Sequence, residues 1–367
     1  MPVNKEWTMP VDGKQPEALY LSAALDMARL GEGHTRPNPP VGAVIVRDGK
    51  ILGGGYHRKA GGDHAEVAAI KAVTKRFGAE KVRGATICVT LEPCSKPGRV
   101  GACTDAIIAA GIKKVLYAVP DPNPVNRGRA KRVLAKAGIE CLCYQTDLKP
   151  LWKNRSTFDE CWLYDLVEYS KNLIAPFAKR ITTGIPFVTV KLAMSLDGRI
   201  CDDTGNAKWI SSETSRKLTG WTRSAVDAVM VGAETVRKDD PSLLCHQKRN
   251  DDLIRAVVSR SGKLPKNAQV FTDGKNPTLV FKDPKTALEE LGRMGCLHVF
   301  CEGGLELARS LADLGLVDQW WLITAPIVIG HRPISEALRF KMKSDGYSDP
   351  YADEREGTYF KPSRKMK

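Results

Sequence analysis

Apolar positions between residues 16 and 30 recur at helical spacing, with Leu19, Ala23, Met27 and Leu30 on one face. Two apolar runs follow, Val41–Val46 and Ile51–Gly55. The turn Asp48-Gly49 between them predicts a hairpin. Residues 64–77 return to helical spacing, with Val67, Ile70, Val73 and Phe77 inward. Thr86–Leu91 is then a β-branched run that reads as a strand. Helix, strand, helix and strand follow at 101–110, 114–119, 128–137 and 139–144, with Gly111 and Gly138 closing the two helices. Strands alternating with helices predict an α/β domain whose sheet is covered on both faces.

Residues 150–184 carry large apolar side chains at mixed helical spacings, from Trp152 to Phe177, and read as a helical linker between domains. A second α/β pattern begins at Pro186. Strands are expected at 187–194, 225–231, 256–259, 278–281, 297–301 and 320–329, the last interrupted by Pro326. Helices are expected at 213–221, 284–293 and 305–314. Residues 331–367 are polar and read as a tail poorly ordered at its end. The expected organisation is 1–149, a linker over 150–184, and 185–367.

Composition narrows the class. The 367 residues are 43% hydrophobic and 27% charged, enough to bury two cores and too apolar for a disordered chain. No apolar run approaches the roughly 20 residues of a membrane span, and the first ten residues lack the apolar stretch of a signal peptide. A cytoplasmic protein with reduced thiols is expected. Lys and Arg number 56 against 42 Asp and Glu, a surplus of +14. That surplus suits an anionic partner: a nucleic acid, a phosphorylated metabolite or a dinucleotide.

The sharpest chemical signal is His64-Ala65-Glu66, followed by Pro93-Cys94-Ser95 and Cys103. One imidazole and two thiolates are three soft ligands. A zinc ion held by three protein ligands keeps a fourth position for water, the catalytic arrangement. His64 and Glu66 fall at the start of one expected helix and Cys103 in the first turn of another, where the helix dipole favours thiolate. Glu66 is then a proton shuttle rather than a ligand, as in nucleobase deaminases. Taken singly, His64 reads as a cap and each cysteine as a small core residue; the combination overturns that. The other eight cysteines, Cys88, Cys141, Cys143, Cys161, Cys201, Cys245, Cys296 and Cys301, read as packing, with Cys141 and Cys143 on one face of a strand. In the second half, Glu302-Gly303-Gly304 lies between a strand and a helix start. Such a junction suits phosphate, although a Gly pair more often marks a simple turn.

The segments TRPNPPVGAVIV, HAEVAAI, LEPCSKPGRVGACTDAI and DPNP resemble the deaminase half of the bifunctional riboflavin-biosynthesis deaminase–reductase family. The ordered set KLAMSLDG, Trp209-Ile210, DAVMVGAET, Asp239-Asp240-Pro241 and Glu302-Gly303-Gly304 resembles its reductase half. The resemblance covers roughly residues 15–148 and 184–330. It implies an α/β chain with an N-terminal cytidine-deaminase-like three-layer domain followed by a dihydrofolate-reductase-like domain that uses NADPH. It implies zinc on His64, Cys94 and Cys103, Glu66 as the proton carrier, and Asn38 lining the pyrimidine pocket. Lys96 and Arg99 match basic loop positions near the substrate. Ala193, Trp209, Thr235, Asp239, Gly303 and Gly304 match NADPH-contacting positions, and Arg223, Leu243 and Glu302 match substrate-contacting ones. The implied substrate is a phosphorylated pyrimidine, with a homo-oligomer expected and no nucleic-acid or membrane partner.

Four departures stand out. Lys96 replaces the family's histidine, Val100-Gly101-Ala102 replaces Thr-Pro-Pro, Ala207 replaces a serine, and His246 replaces an arginine. The last two remove a hydroxyl and a permanent charge from phosphate recognition. Lys248 or Arg249 can take over that charge. An impaired or substrate-shifted reductase half is therefore an alternative, and a nucleic-acid-editing deaminase a weaker one, since aromatics are only 7% and no recognition motif is visible.

Overall fold

Three glycines in a row, Gly53–Gly55, leave one strand of the first hairpin without side chains where a helix must land. The computed structural model describes residues 16–96, 101–148, 157–202, 210–245, 252–327, 329, 342–344 and 358–362. In it the first half runs α1 (Pro16–Arg29), β1 (Gly42–Arg47), β2 (Lys50–Tyr56), α2 (Ala65–Phe77), α3 (Ala79–Val82), β3 (Thr86–Leu91), α4 (Cys103–Ala109), β4 (Lys114–Val119), α5 (Arg129–Lys136), β5 (Glu140–Cys143) and α6 (Thr157–Thr183). A Cβ on Gly55 would lie 2.4 Å from the Ala69 backbone nitrogen, so only glycine lets α2 settle on β2.

The five strands form one sheet in the order β2-β1-β3-β4-β5. β1 is antiparallel to β2 and β3, and β3, β4 and β5 are parallel. Side chains alternate across it. Ala43, Ile45, Ile87, Val89, Val115 and Tyr117 pack against α2, α4 and α5 on one face. Val44, Val46, Cys88, Leu116 and Ala118 pack against α1 and α6 on the other. Cys141 and Cys143 share the first face, as their spacing requires.

The segment read as a linker is corrected here. From Thr157 to Thr183 it is one 27-residue helix, and the chain divides into compact units at Thr182/Thr183. Leu166, Val167 and Ile174 are buried in the first unit's core beside Leu21, Val44 and Leu116. The mixed spacing of apolar residues in this helix reflects a face buried against a sheet, which a free connector lacks.

The second unit runs β6 (Phe187–Ser195), α7 (Glu213–Thr222), β7 (Ala228–Gly232), α8 (Ala233–Asp239), β8 (Ile254–Val258), α9 (Gln269–Thr272), β9 (Thr278–Phe281), α10 (Pro284–Arg293), β10 (His298–Cys301), α11 (Leu305–Asp313), β11 (Gln319–Ala325), β12 (Met342–Ser344) and β13 (Thr358–Pro362). Its sheet order is β12-β13-β11-β6-β10-β7-β8-β9, with β6 to β11 parallel. Two expectations are corrected. The strand expected over 320–329 ends at Ala325, because Pro326 has no N–H for the ladder. The segment 331–367, read only as a polar tail, contributes β12 and β13, which extend the sheet antiparallel from β11. A strand added at a sheet edge draws on backbone bonds, so its sequence needs no apolar run.

Two carboxylates, the buried Asp227 and the half-buried Asp318, register this sheet. Asp227 accepts from the backbone nitrogens of Leu297 (2.7 Å) and His298 (3.1 Å), and Asp318 accepts from that of Val188 (2.7 Å). Beside them the Thr189 hydroxyl donates to Gln319 Oε1 (3.0 Å), so it accepts from His298 Nε2–H (2.8 Å). Burial holds the His298 imidazole down to about 4. The unfolded chain therefore takes up a proton near pH 6.5 that the folded chain refuses. Stability from this site is complete above about pH 6.5 and declines as the pH falls towards 4. Urea midpoints of the second unit are expected to fall between pH 7 and pH 5, and less steeply in His298→Gln. Equal slopes would count against this assignment.

Candidate metal centre and nucleotide cleft

The first site is built where three element ends meet. His64 caps the start of α2 in an extended conformation (φ −71°, ψ 163°), and its side chain makes no capping bond. Its imidazole is thereby turned to the cysteines: Nδ1 lies 3.2 Å from Cys103 Sγ and 3.6 Å from Cys94 Sγ. Cys94 follows the end of β3, and Cys103 is the first residue of α4. The Cys103 N–H donates to Cys94 Sγ (3.3 Å) and the Thr104 N–H to the Cys94 carbonyl (3.2 Å), which close the long loop between the two cysteines. The three ligand atoms lie within 4.8 Å of one another. Hydrogen bonding from Cys103, aided by His64, pulls the Cys94 thiol down to about 4, and the second thiol is pushed up in turn. A cation is the natural resolution of two sulfurs and an imidazole this close, and the donor set is one zinc accepts.

Glu66 is on the second residue of α2 and only 3% exposed. Burial raises its carboxyl to about 6. Asn38 sits against His57: Asn38 Nδ2 is 3.0 Å from His57 Nε2, and His57 Nδ1 is 2.9 Å from the Asp63 carbonyl. The His57 ring meets the His64 ring edge to face at 5.2 Å. Glu92, two residues before Cys94, accepts from the backbone nitrogens of Asp121 (3.2 Å), Gly128 (3.0 Å) and Ala130 (3.2 Å). That one carboxylate ties the Asp121–Ala130 loop to the segment that leads from β3 to Cys94. Asp121 is itself buried, which pushes its carboxyl up to about 6.

His57, Glu92 and Asp121 were not singled out by sequence reasoning. His57 follows an aromatic at a strand end and Glu92 follows a leucine; each looks like ordinary punctuation until the fold closes. Lys96 is exposed, and Arg99 lies outside the described residues.

The second site lies at the carboxyl ends of the parallel strands, where β10 inserts between β6 and β7 and the chain order reverses. Open α/β sheets bind ligands at such a crevice. β10 leads into Glu302, Gly303, Gly304 and the start of α11. A Cβ on Gly303 would approach Leu307 Cδ2 to 2.6 Å, whereas none of the described residues comes within 4 Å of one on Gly304. The helix start is therefore tight beneath and open above, a cradle that suits phosphate. β6 carries Ala193, α8 carries Thr235 and the exposed Asp239, and Leu243 is buried with φ +54°. Just past the end of β8 the Ser259 hydroxyl is buried and finds no partner among the described residues, a signal that only the fold reveals. A glycine turn and helix start at the carboxyl end of β10, at the switch point, fit the phosphates of a dinucleotide.

Arg223 and Glu302, matched separately in the sequence, are brought together. Arg223 Nε and Nη2 donate to the two Glu302 oxygens at 2.6 and 2.9 Å, and Nη1 donates to the Leu244 carbonyl at 2.9 Å. Three of the five guanidinium N–H groups are thus used, and two remain among the described residues. Trp209, Ala207, His246, Lys248 and Arg249 lie outside the described residues. Cys88, Cys141, Cys143, Cys296 and Cys301 are buried. Cys201 and Cys245 are half-buried, and the Cys161 side chain is not among those described.

Residues 14–119 match the cytidine and deoxycytidylate deaminase zinc-binding region, and residues 186–344 match the RibD C-terminal domain. The riboflavin biosynthesis protein RibD of Aquifex aeolicus is 34% identical over 357 residues, covering 88% of this chain and 93% of that one. The chain belongs to the RibD family. The RibD proteins of Bacillus amyloliquefaciens (35% identical, 86% of this chain and 85% of that one) and Escherichia coli (32%, 90% and 96%) are similarly related. Among solved structures, the deaminase/reductase of Thermotoga maritima superposes with a TM-score of 0.78 at 30% identity, covering 95% of this chain and 99% of that one. RibD of Acinetobacter baumannii gives 0.73 at 28%, with the same coverage. As a RibD-family chain it is a bifunctional deaminase and reductase of riboflavin biosynthesis, served by zinc and NADPH.

Proposed function

We propose that the first unit deaminates 2,5-diamino-6-(5-phosphoribosylamino)pyrimidin-4(3H)-one and that the second reduces the ribosyl chain of the product to ribityl. The observation that carries this reading is His64, Cys94 and Cys103 converging within 4.8 Å beside the buried Glu66. Bound there, zinc supplies a water acidified towards neutral pH. Glu66 takes one proton of the attacking water and passes it to a ring nitrogen; it then takes the second proton, from the hydroxyl so formed, and gives it to the amino group, which leaves as ammonia. A carboxyl raised to about 6 is close enough to neutrality to take and to give. Asn38 orients the pyrimidine, and Lys96 and Arg99 meet its phosphate.

In the second unit, the Gly303-Gly304 turn with Ala193, Trp209, Thr235 and Asp239 holds NADPH, which supplies a hydride to the open-chain sugar carbon. Arg223, held flat by Glu302, offers its two spare N–H groups to the substrate phosphate, and Leu243 shapes the pocket. The deaminase then occupies residues 1–149, with α6 (inside the former linker range 150–184) covering its sheet, and the reductase 185–367. A cytoplasmic location fits the nine described cysteines, all free thiols, and no helix among the described residues is long and apolar enough to cross a membrane.

The test is purified, zinc-loaded protein given the diamino substrate. Ammonia release followed by substrate-dependent loss of the NADPH absorbance supports both halves. Ammonia without NADPH consumption would leave only the deaminase. Arg223→Ala is expected to raise the reductase KM about tenfold or more, since it removes the phosphate donors and strands Glu302. An unchanged KM would remove Arg223 from the phosphate site.

A further inference from the structure

The geometry assigns His57 as the positioning residue that fixes which way round the Asn38 carboxamide meets the pyrimidine. The Asp63 carbonyl can only accept, so the proton 2.9 Å from it belongs to His57 Nδ1. The ring is 2% exposed, its two nitrogens are taken up by the Asp63 carbonyl and Asn38, and no carboxylate among the described residues bonds to it. A ring in that setting carries one proton, so Nε2 is a bare acceptor. The Asn38 atom 3.0 Å away must then be the amide nitrogen, donating. The carboxamide cannot be reversed without setting its oxygen against the Nε2 lone pair.

The consequence concerns specificity, and it rests on the reading that Asn38 lines the pyrimidine pocket. With one N–H spent on His57, Asn38 keeps Oδ1 and one further N–H in a set order. A pyrimidin-4(3H)-one presents a matching lactam edge: its N3–H donates to Oδ1, and its C4 carbonyl accepts the remaining N–H. A reversed amide would set donor against donor and oxygen against oxygen. His57 thus selects the lactam edge without touching the ligand. The device ends at the metal centre: Asp63, whose carbonyl fixes the imidazole, directly precedes the ligand His64. The Asp63 carboxylate is in turn clasped by Lys71 Nζ at 2.7 and 2.8 Å.

Two measurements on the zinc-loaded full chain test this. In the first, long-range proton–nitrogen NMR of protein carrying labelled histidine is expected to show His57 as the Nδ1–H tautomer. An Nε2–H tautomer or a doubly protonated ring at neutral pH would overturn the assignment. In the second, deaminase KM and kcat are compared at measured zinc content. His57→Phe is expected to raise KM about tenfold with a smaller change in kcat. His57→Gln, whose amide can donate to Asp63 and accept from Asn38, is expected to stay within about threefold of the parent. Phe and Gln variants that behave alike would reduce His57 to packing and sink the proposal. Asn38→Ala separates the two ideas. If it leaves KM unchanged, the pocket reading fails and the proposal with it; if it raises KM while His57→Phe does not, only the proposal fails. Should the Phe variant lose zinc, the tautomer measurement and the Gln variant still decide.

Discussion

Replacing Glu66 with glutamine abolishes deamination, by about two to four orders of magnitude in kcat, while the protein keeps its zinc. The amide has the shape of the carboxyl but cannot carry a proton from water to the ring. Glu66 is 3% exposed, so no bulk water stands in for it. Burial raises the carboxyl to about 6, and this gives the sign of the pH profile. The working form is the carboxylate, so the deaminase rate falls as the pH drops below about 6 and levels off above it. Ammonia release and metal analysis on the same preparation check both halves of the statement. Loss of zinc in Glu66→Gln would make this residue a ligand and overturn its role. Reduction of the deaminated intermediate by the same variant is expected at the parent rate, because that chemistry belongs to the other unit.

Cys94→Ser is expected to lose the metal, with zinc affinity down on the order of a hundredfold or more, and deamination with it. Hydrogen bonds from Cys103, aided by His64, lower the Cys94 thiol and favour its thiolate. A serine hydroxyl stays protonated near neutrality and is a harder, poorer ligand. The variant should still fold, since the Thr104 N–H keeps its bond to the backbone carbonyl of residue 94. NADPH consumption with the deaminated intermediate should persist. A Cys94→Ser protein that retains one zinc per chain would show that another donor completes the site.

Much of this was legible in the chain, for physical reasons that differ by element. The helix at 284–293 and the strand at 278–281 were read to the residue, because Asp283 caps and Pro284 opens the one while β-branched and aromatic residues make the other. The cluster of His64, Cys94 and Cys103 was legible because two of the three sit at helix starts and the third follows shortly after a strand, where local sequence signals are strongest. The role of residues 157–183 was not. An apolar face on a helix looks the same whether it joins two domains or covers a sheet, and only Leu166, Val167 and Ile174 packed beside Leu21 decide between them. The strands at 342–344 and 358–362 escaped notice for a related reason: sheet edges are joined through the backbone, which every residue shares.

Residue type and spacing alone settled the chemistry on offer: three soft ligands, a carboxyl beside them, and a glycine pair ahead of a helix. Those are covalent properties of side chains and short-range properties of turns. Pairing across long separations was decided only by the folded chain. Arg223 meets Glu302, Asn38 meets His57, and Glu92 gathers the nitrogens of 121, 128 and 130. Such partners are chosen by the order of strands in a sheet, and no window along the sequence contains that order.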